Sequence, residues 1–181
     1  MRRLDKTLVL VGMMGAGKTS VGRRLANVLG VTFRDADAEI ELAAGCTINE
    51  IFERFGEPAF RAGERKVIAR LLGEPPHILA TGGGAFMDPE TRARIKECAF
   101  SVWLKAPVDL LLERVMRKDT RPLLRNTDRR AALERLLEQR EPIYAEADVT
   151  IESDEGPHDT AVKNIIAALD ARRVTAPVDR A

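Results

Sequence analysis

The sequence predicts a three-layer α/β protein, a parallel sheet covered on both faces by helices. Short runs such as Leu8-Val9-Leu10-Val11 are too uniformly apolar for a strand with one wet face, and segments of helical spacing alternate with them along the chain. A third observation locates the chemistry: the first run breaks into Gly12-Met13-Met14-Gly15-Ala16-Gly17-Lys18-Thr19 and then opens into a helical pattern.

Each element follows in order. After Thr19, the residues Val21, Leu25, Val28 and Leu29 recur at helical spacing up to Gly30, a natural helix stop. Val31-Thr32-Phe33 is a second strand, ending at Asp35-Ala36-Asp37. Helices are expected from Ala38 to Ala44 and around Ile48, Ile51, Phe52 and Phe55, the latter begun by Thr47 with Glu50 at capping-box spacing. From Glu57 to Leu72 an amphipathic helix places Val67, Ile68, Leu71 and Leu72 on one face. His77 to Thr81 is a third strand running into Gly82-Gly83-Gly84. Asp88-Pro89 starts a helix with proline at its first position. Ala99 to Leu104 is a fourth strand, and Pro107 opens a helix through Leu110, Leu111 and Val115. Met116 to Thr127 is basic, aperiodic and interrupted by Pro122, as expected of a mobile loop. Leu133, Leu136, Leu137 and Arg140 share one side of a helix that Pro142 should end. Val149-Thr150-Ile151 is the fifth strand, and Val162, Ile165, Ile166 and Leu169 mark a closing helix. A polar tail, 171–181, is expected to be disordered.

Composition narrows the class. A chain of 181 residues is long enough for one well-buried core, so a single domain over 1–170 is expected. Lys plus Arg at 29 nearly cancels Asp plus Glu at 28, which argues against a nucleic-acid or membrane partner. Cys46 and Cys98 lack disulfide-framework or metal-ligand spacing and suit a reducing compartment. The apolar run behind the basic start is too short for a signal peptide or a membrane span, so a cytoplasmic location is expected. His77, His158 and Trp103 show no ligand spacing and carry no functional expectation.

The pattern Gly-x-x-x-x-Gly-Lys-Thr requires glycine because successive backbone N–H groups must turn inward around phosphate oxygens. Gly12, Gly15, Ala16, Gly17 and Ser20 would frame a nucleoside triphosphate, Lys18 would reach its β and γ phosphates, and the Thr19 hydroxyl would ligate Mg²⁺. Asp35 and Asp37, two residues apart at a strand end, could serve the metal's water shell and an acceptor hydroxyl, or could simply cap the helix from Ala38. Gly82-Gly83-Gly84 permits close approach of a ligand to the backbone, or is a plain strand-to-helix turn. Arg61, beside Phe60 and three residues before Glu64, could be a solvated surface arginine or could bind a carboxylate-bearing substrate. Arg121, in Arg121-Pro122-Leu123-Leu124, could be carried onto a transferring phosphoryl group by a closing loop. Arg140 could bind substrate or only favour its helix dipole.

Taken together, in this order and spacing, these segments resemble the shikimate kinases, P-loop enzymes with a nucleoside-monophosphate-kinase-like fold. The resemblance runs from about Leu8 to Ile151 and includes Phe60-Arg61 with Glu64, Thr81-Gly82-Gly83-Gly84, and Arg140 followed by Pro142 and Tyr144. It implies a five-stranded parallel sheet in the order 2-3-1-4-5, a substrate-binding region at about 35–62, a lid at about 116–127, and action as a monomer. It also implies transfer of the ATP γ-phosphoryl to the 3-hydroxyl of shikimate. Asp37, Arg61, Gly82, Gly83, Gly84 and Arg140 would hold shikimate, with both arginines facing its carboxylate. Asp37 would accept the proton, Lys18 and Arg121 would stabilise the phosphoryl group, Thr19 would bind Mg²⁺ directly and Asp35 through water. Arg114, before the lid, and Ser153 to Pro157 are the candidates for adenine contacts.

The chain departs from the family pattern at Ala62-Gly63, where a larger, often basic residue is usual after the arginine. Glycine inside a helix costs roughly 1 kcal/mol relative to alanine, so a softer substrate-binding helix is expected. Two other functions compete: a related small-metabolite kinase such as a gluconate kinase, which would not need Asp37, Arg61 and Arg140 together, and a nucleotide-binding module without catalysis, which would not need an acceptor-side carboxylate.

Overall fold

The structure, a computed structural model, describes residues 2–117, 128–153, 158–172 and 174–177. Its elements are β1 (Arg2–Leu4), β2 (Thr7–Val11), α1 (Lys18–Leu29), β3 (Phe33–Asp35), α2 (Ala36–Ala44), α3 (Ile48–Leu72), β4 (Ile78–Ala80), α4 (Pro89–Cys98), β5 (Ala99–Lys105), α5 (Val108–Met116), α6 (Arg129–Tyr144), β6 (Val149–Glu152), α7 (His158–Ala171) and β7 (Thr175–Pro177). Every residue of β2 is buried, as its unbroken apolar run requires, because β2 lies at the centre of a parallel sheet ordered β3-β4-β2-β5-β6. Counting only the five expected strands, this is the order 2-3-1-4-5. Leu10 stands level with Ala80 on one side and Val102 on the other. Helix α1 packs on β4 and α7, while α3 packs on α4 and α4 on β5, so both faces of the sheet are covered. From β2 the chain runs past the place of β4 to the edge strand β3, returns to β4, and then crosses over β2 to β5 on the other side. That switch opens a crevice at the strands' C-terminal ends, beside the glycine turns.

Several boundaries differ from the sequence reading, each for a local reason. The second strand is Phe33–Asp35 and not Val31 to Phe33, because the Val31 N–H is held by the Ala26 carbonyl in the α1 stop at Gly30. Helix α2 starts at Ala36, two residues early, with Asp35 as its cap. The helices expected around Ile48 to Phe55 and from Glu57 run as one element broken at Gly56, whose φ of 78° and ψ of 173° are not helical. Pro58 follows the break, where its missing N–H costs the second half of the helix little. The softening expected at Gly63 is not seen as a break, since the helix continues through it with open space where a side chain would stand. Pro142 does not end α6, which closes at Tyr144 and is sealed by the Ala145 N–H on the Glu141 carbonyl. Val28 and Phe55, read as members of apolar faces, are 64% exposed. Within the segment expected to be a disordered tail, Thr175–Pro177 pairs antiparallel with Arg2–Leu4. No sequence period marks that pair, because each strand is only three residues long.

The caps behave as expected. Thr47 and Glu50 complete a reciprocal capping box at the start of α3. Asp88 caps α4 by accepting from the Thr91 N–H at 2.9 Å, with Pro89 in the first turn.

Candidate active site

The glycine loop is shaped by backbone that only glycine adopts readily. Gly12, Gly15 and Gly17 have φ of 138°, 82° and 94°, and a Cβ on Gly12 would lie 2.6 Å from the Leu104 carbonyl oxygen. The turn delivers Lys18 to the first position of α1. Its Nζ donates to the carbonyls of Gly12 and Met13 at 2.8 Å each, so the ammonium sits across the mouth of the loop. Arg114 donates to the Gly15 carbonyl at 3.2 Å and Ser153 to that of Ala16 at 3.3 Å, tying the loop to α5 and to the end of β6.

A cavity of about 310 Å³ opens over this loop, lined by Gly15, Gly17, Lys18, Thr19, Ser20, Asp35, Arg114 and Arg117 among others. Gly12 and Ala16 are buried behind it and shape the loop from below. Thr19 Oγ1 donates to Asp35 Oδ2 at 2.8 Å, while Asp35 Oδ1 accepts from the Asp37 N–H at 3.1 Å. The reading of Asp35 as a helix cap is thus met by one oxygen, while the other faces Thr19. A hydroxyl and a carboxylate beside a phosphate loop fit Mg²⁺, a hard cation that keeps several waters and needs few protein ligands. Among the described residues, no group of three His, Cys, Asp or Glu side chains offers an alternative metal cage.

A second cavity, of about 410 Å³, adjoins the first, and Asp37, Gly82 and Gly83 line both. Its other walls include Met14, Phe52, Phe60, Arg61, Glu64, Gly84 and Arg140. The structure thus brings together Asp37 from α2, Arg61 from α3, the triple glycine after β4 and Arg140 from α6. These are the residues the sequence singled out for the acceptor. The glycine turn is more than a connection: a Cβ on Gly82 would stand 2.9 Å from Asp37 Oδ1, and one on Gly84 would stand 2.5 Å from the Arg61 guanidinium. Arg121 and all of the expected lid after Arg117, like residues 154–157 of the expected adenine loop, lie outside the described residues.

The electrostatics centre on an arginine between two carboxylates. Arg61 donates to Glu64 at 2.8 Å and to Glu57 at 3.1 Å, and its guanidinium lies 5.0 Å from the Phe60 ring centroid. Burial works to lower the Arg61 pKa, but Glu64 and then Glu57 outweigh it and the net shift is upward. Glu64 is 2% exposed, and its Oε1 has no hydrogen-bond partner among the described residues. Burial drives its pKa up. Arg61 opposes that shift, and the neighbouring Asp37 and Asp88 charges add to it. Arg140 donates to the Gly83 carbonyl at 3.3 Å.

Sequence reasoning quoted Glu64 and Tyr144 without assigning either a role. The spacing of Glu64 from Arg61, three residues along a helix, was an available signal for an ion pair. Tyr144 left none, because its partners are Gly83, Met13 and Trp103 on other elements. Trp103 is a strand residue, as expected, but it packs in the core.

Comparison with known proteins bears on the same arrangement. The sequence model of one family, described as Shikimate kinase, matches residues 14–170. A shikimate kinase of Caulobacter vibrioides is 65% identical over 164 residues, covering 91% of this chain and 82% of its own. One from Paramagnetospirillum magneticum is 57% identical over 175 residues, covering 94% and 90%. The solved structure of a shikimate kinase from Acinetobacter baumannii in complex with shikimate superposes with a TM-score of 0.90 at 41% identity, covering 93% of this chain and 94% of that one. With a matched segment that begins in the glycine loop and takes in Asp37, Arg61, the triple glycine and Arg140, the chain belongs to the shikimate kinase family.

Proposed function

We propose that the two adjoining cavities form one phosphoryl-transfer site, in which this chain moves the γ-phosphoryl of ATP to the 3-hydroxyl of shikimate, yielding shikimate 3-phosphate and ADP on the route to chorismate and the aromatic amino acids. The observation that carries this reading is the shared wall of Asp37, Gly82 and Gly83, at which a phosphate on the loop and an acceptor beside Arg61 and Arg140 would meet. Arg61 and Arg140 hold the acceptor's carboxylate. A gluconate is also a carboxylate, so the discrimination lies in the fixed spacing of Asp37 from the two arginines.

In the reaction, Asp37 takes the proton of the acceptor hydroxyl as its oxygen attacks the γ-phosphorus, and the bond to the β–γ bridging oxygen breaks. Lys18, released from the Gly12 and Met13 carbonyls, follows the charge on the β and γ oxygens. Thr19 and Asp35 would hold Mg²⁺, which would supply positive charge to the phosphates. The open N–H groups of the glycine loop orient the triphosphate, and Arg114 and Arg117 border the nucleotide cavity. The chain is read as acting as a monomer, and the free thiols Cys46 and Cys98 suit the reducing conditions of the cytoplasm. Among the described residues no helix is long and apolar enough to cross a membrane.

A coupled assay of ADP release with MgATP tests the function. Shikimate should give turnover well above gluconate or a nucleoside monophosphate. Equal or faster turnover with either of those would reject the assignment.

A further inference from the structure

Beneath the acceptor cavity lies a buried group that neither cavity contains. Tyr144, in the last turn of α6, is fully buried, and its hydroxyl donates to the Gly83 carbonyl. Arg140, one helical turn earlier on the same face, donates to that same carbonyl at 3.3 Å. Both side chains also reach the Met13 sulfur in the phosphate loop, at 3.8 Å from the tyrosine oxygen and 3.9 Å from the arginine. The Tyr144 ring stacks on Trp103 of β5 at a centroid distance of 5.8 Å, which fixes where the hydroxyl points. Two side chains of α6 therefore meet at one carbonyl, with Met13 and Trp103 packed against them.

That carbonyl matters because of what it is bonded to. The Gly83–Gly84 peptide is trans and planar, so its N–H points opposite to its C=O. With no side chain at either residue, this peptide at the centre of the turn that the Ala85 N–H closes on the Gly82 carbonyl is held from outside the turn by Tyr144 and Arg140. Holding the carbonyl toward α6 turns the Gly84 N–H away from α6, and Gly82, Gly83 and Gly84 all line the acceptor cavity. The same bond holds the end of α6 and, with it, Arg140.

We propose that Tyr144 is a positioning residue for the acceptor: its hydroxyl locks the Gly83–Gly84 peptide and the Arg140 guanidinium in the arrangement that receives the substrate. The proposal rests on the reading of this cavity as the shikimate site. Burial, opposed by the nearby Arg140 and Arg61 charges, pushes the Tyr144 pKa up to about 12, so the hydroxyl remains a proton donor throughout the working range of pH.

The test is Tyr144→Phe, which keeps the ring on Trp103 and deletes the donor. Loss of one hydrogen bond of this kind should raise KM for shikimate roughly five- to tenfold. KM for ATP should stay within about twofold and kcat should change little, the signature of lost acceptor binding in ground and transition states alike. Ser101→Ala serves as the control for general destabilisation. It removes a 2.7 Å contact from the buried Ser101 hydroxyl to the exposed Asp148 just before β6, away from both cavities. It should lower Tm and leave both KM values unchanged. A Tyr144→Phe enzyme that loses Tm as Ser101→Ala does, with KM for shikimate unmoved, shows a merely structural tyrosine and overturns the proposal. A parallel rise in KM for ATP also overturns it, since that would place the effect in the phosphate loop through Met13. If the wild-type chain fails to phosphorylate shikimate, the assignment of the cavity falls and the proposal falls with it, which is a distinct result from an active wild type with an indifferent variant.

Discussion

Gly84→Ala probes the acceptor side without touching any charged residue. At φ −96° and ψ −13° the backbone of Gly84 suits alanine, so the substitution introduces no backbone strain. What it introduces is a methyl group 2.5 to 2.7 Å from three atoms of the Arg61 guanidinium. A normal contact is about 3.5 Å, so the guanidinium must retreat by roughly 1 Å. The arginine side chain is 23% exposed and can swing toward solvent, but doing so stretches its 2.8 Å bond to Glu64 beyond hydrogen-bonding range. A displaced guanidinium then meets the substrate carboxylate in the wrong place. A charge-assisted hydrogen bond is worth roughly 1.5 to 3 kcal/mol, so KM for shikimate should rise about 10- to 100-fold. Steady-state kinetics with shikimate varied at saturating MgATP measure this directly. KM for ATP should be unchanged, because the three atoms nearest the new methyl all belong to Arg61 on the acceptor side. A shikimate KM within about twofold of wild type would refute both the close packing of Gly84 on Arg61 and the role of Arg61 as a carboxylate ligand.

Three further outcomes are expected. Asp37→Asn should lose at least about 100-fold in kcat while binding ATP normally by titration calorimetry, since proton acceptance typically contributes that much; a near-normal rate would remove Asp37 from its role. Asp35→Ala deletes the partner of the Thr19 hydroxyl and the α2 cap together, so the Mg²⁺ concentration for half-maximal rate should rise and stability should fall by about 1 kcal/mol, and an unchanged metal requirement would leave Asp35 as a cap alone. Asp88 is desolvated, which raises its pKa, but the Thr91 N–H and hydroxyl and the Arg65 guanidinium outweigh this and hold it below the ordinary 3.8. A carboxylate with a depressed folded pKa contributes stability above its unfolded pKa and loses it as pH falls through the folded value. The stability gap between wild type and Asp88→Ala, read by urea unfolding, should therefore be about 1 kcal/mol at pH 7 and shrink below pH ~4; a gap independent of pH would refute the ionic part of the cap.

Glu64 runs the other way. Its pKa is raised by burial, so the folded protein holds that proton more tightly than the unfolded chain, and the associated stability is lost as pH rises through the folded value. The site thus carries a cost at neutral pH in keeping an ionised carboxylate beside Arg61, with one oxygen unpartnered in the acceptor cavity's wall.

Much of the fold was legible because it is written in local terms. A five-residue apolar run can only be a strand buried on both faces, and Thr47 with Glu50 can satisfy two helix N–H groups from three residues apart. The glycine loop was readable for the same reason, since its positive φ angles exclude most other residues. Strand ends were less so. Whether Val31 or Phe33 begins β3 depended on the Ala26 carbonyl, and whether Pro142 stops α6 depended on what followed it.

The sequence by itself determined a triphosphate loop at the start of α1, the carboxylates Asp35 and Asp37 at a strand end, and a glycine turn able to accept a close neighbour. Each of these depends on backbone freedom or capping within a few residues. Only the tertiary structure decided that Asp35 both caps and faces Thr19, that Arg61 lies against Gly84 between two carboxylates, and that Arg140 and Tyr144 converge on the carbonyl of Gly83. The physical reason is the path of the chain from β2 out to β3 and β4 and back across β2 to β5. It gathers the C-terminal ends of strands far apart in the chain around one crevice, and no periodicity along the chain records which side chains meet there.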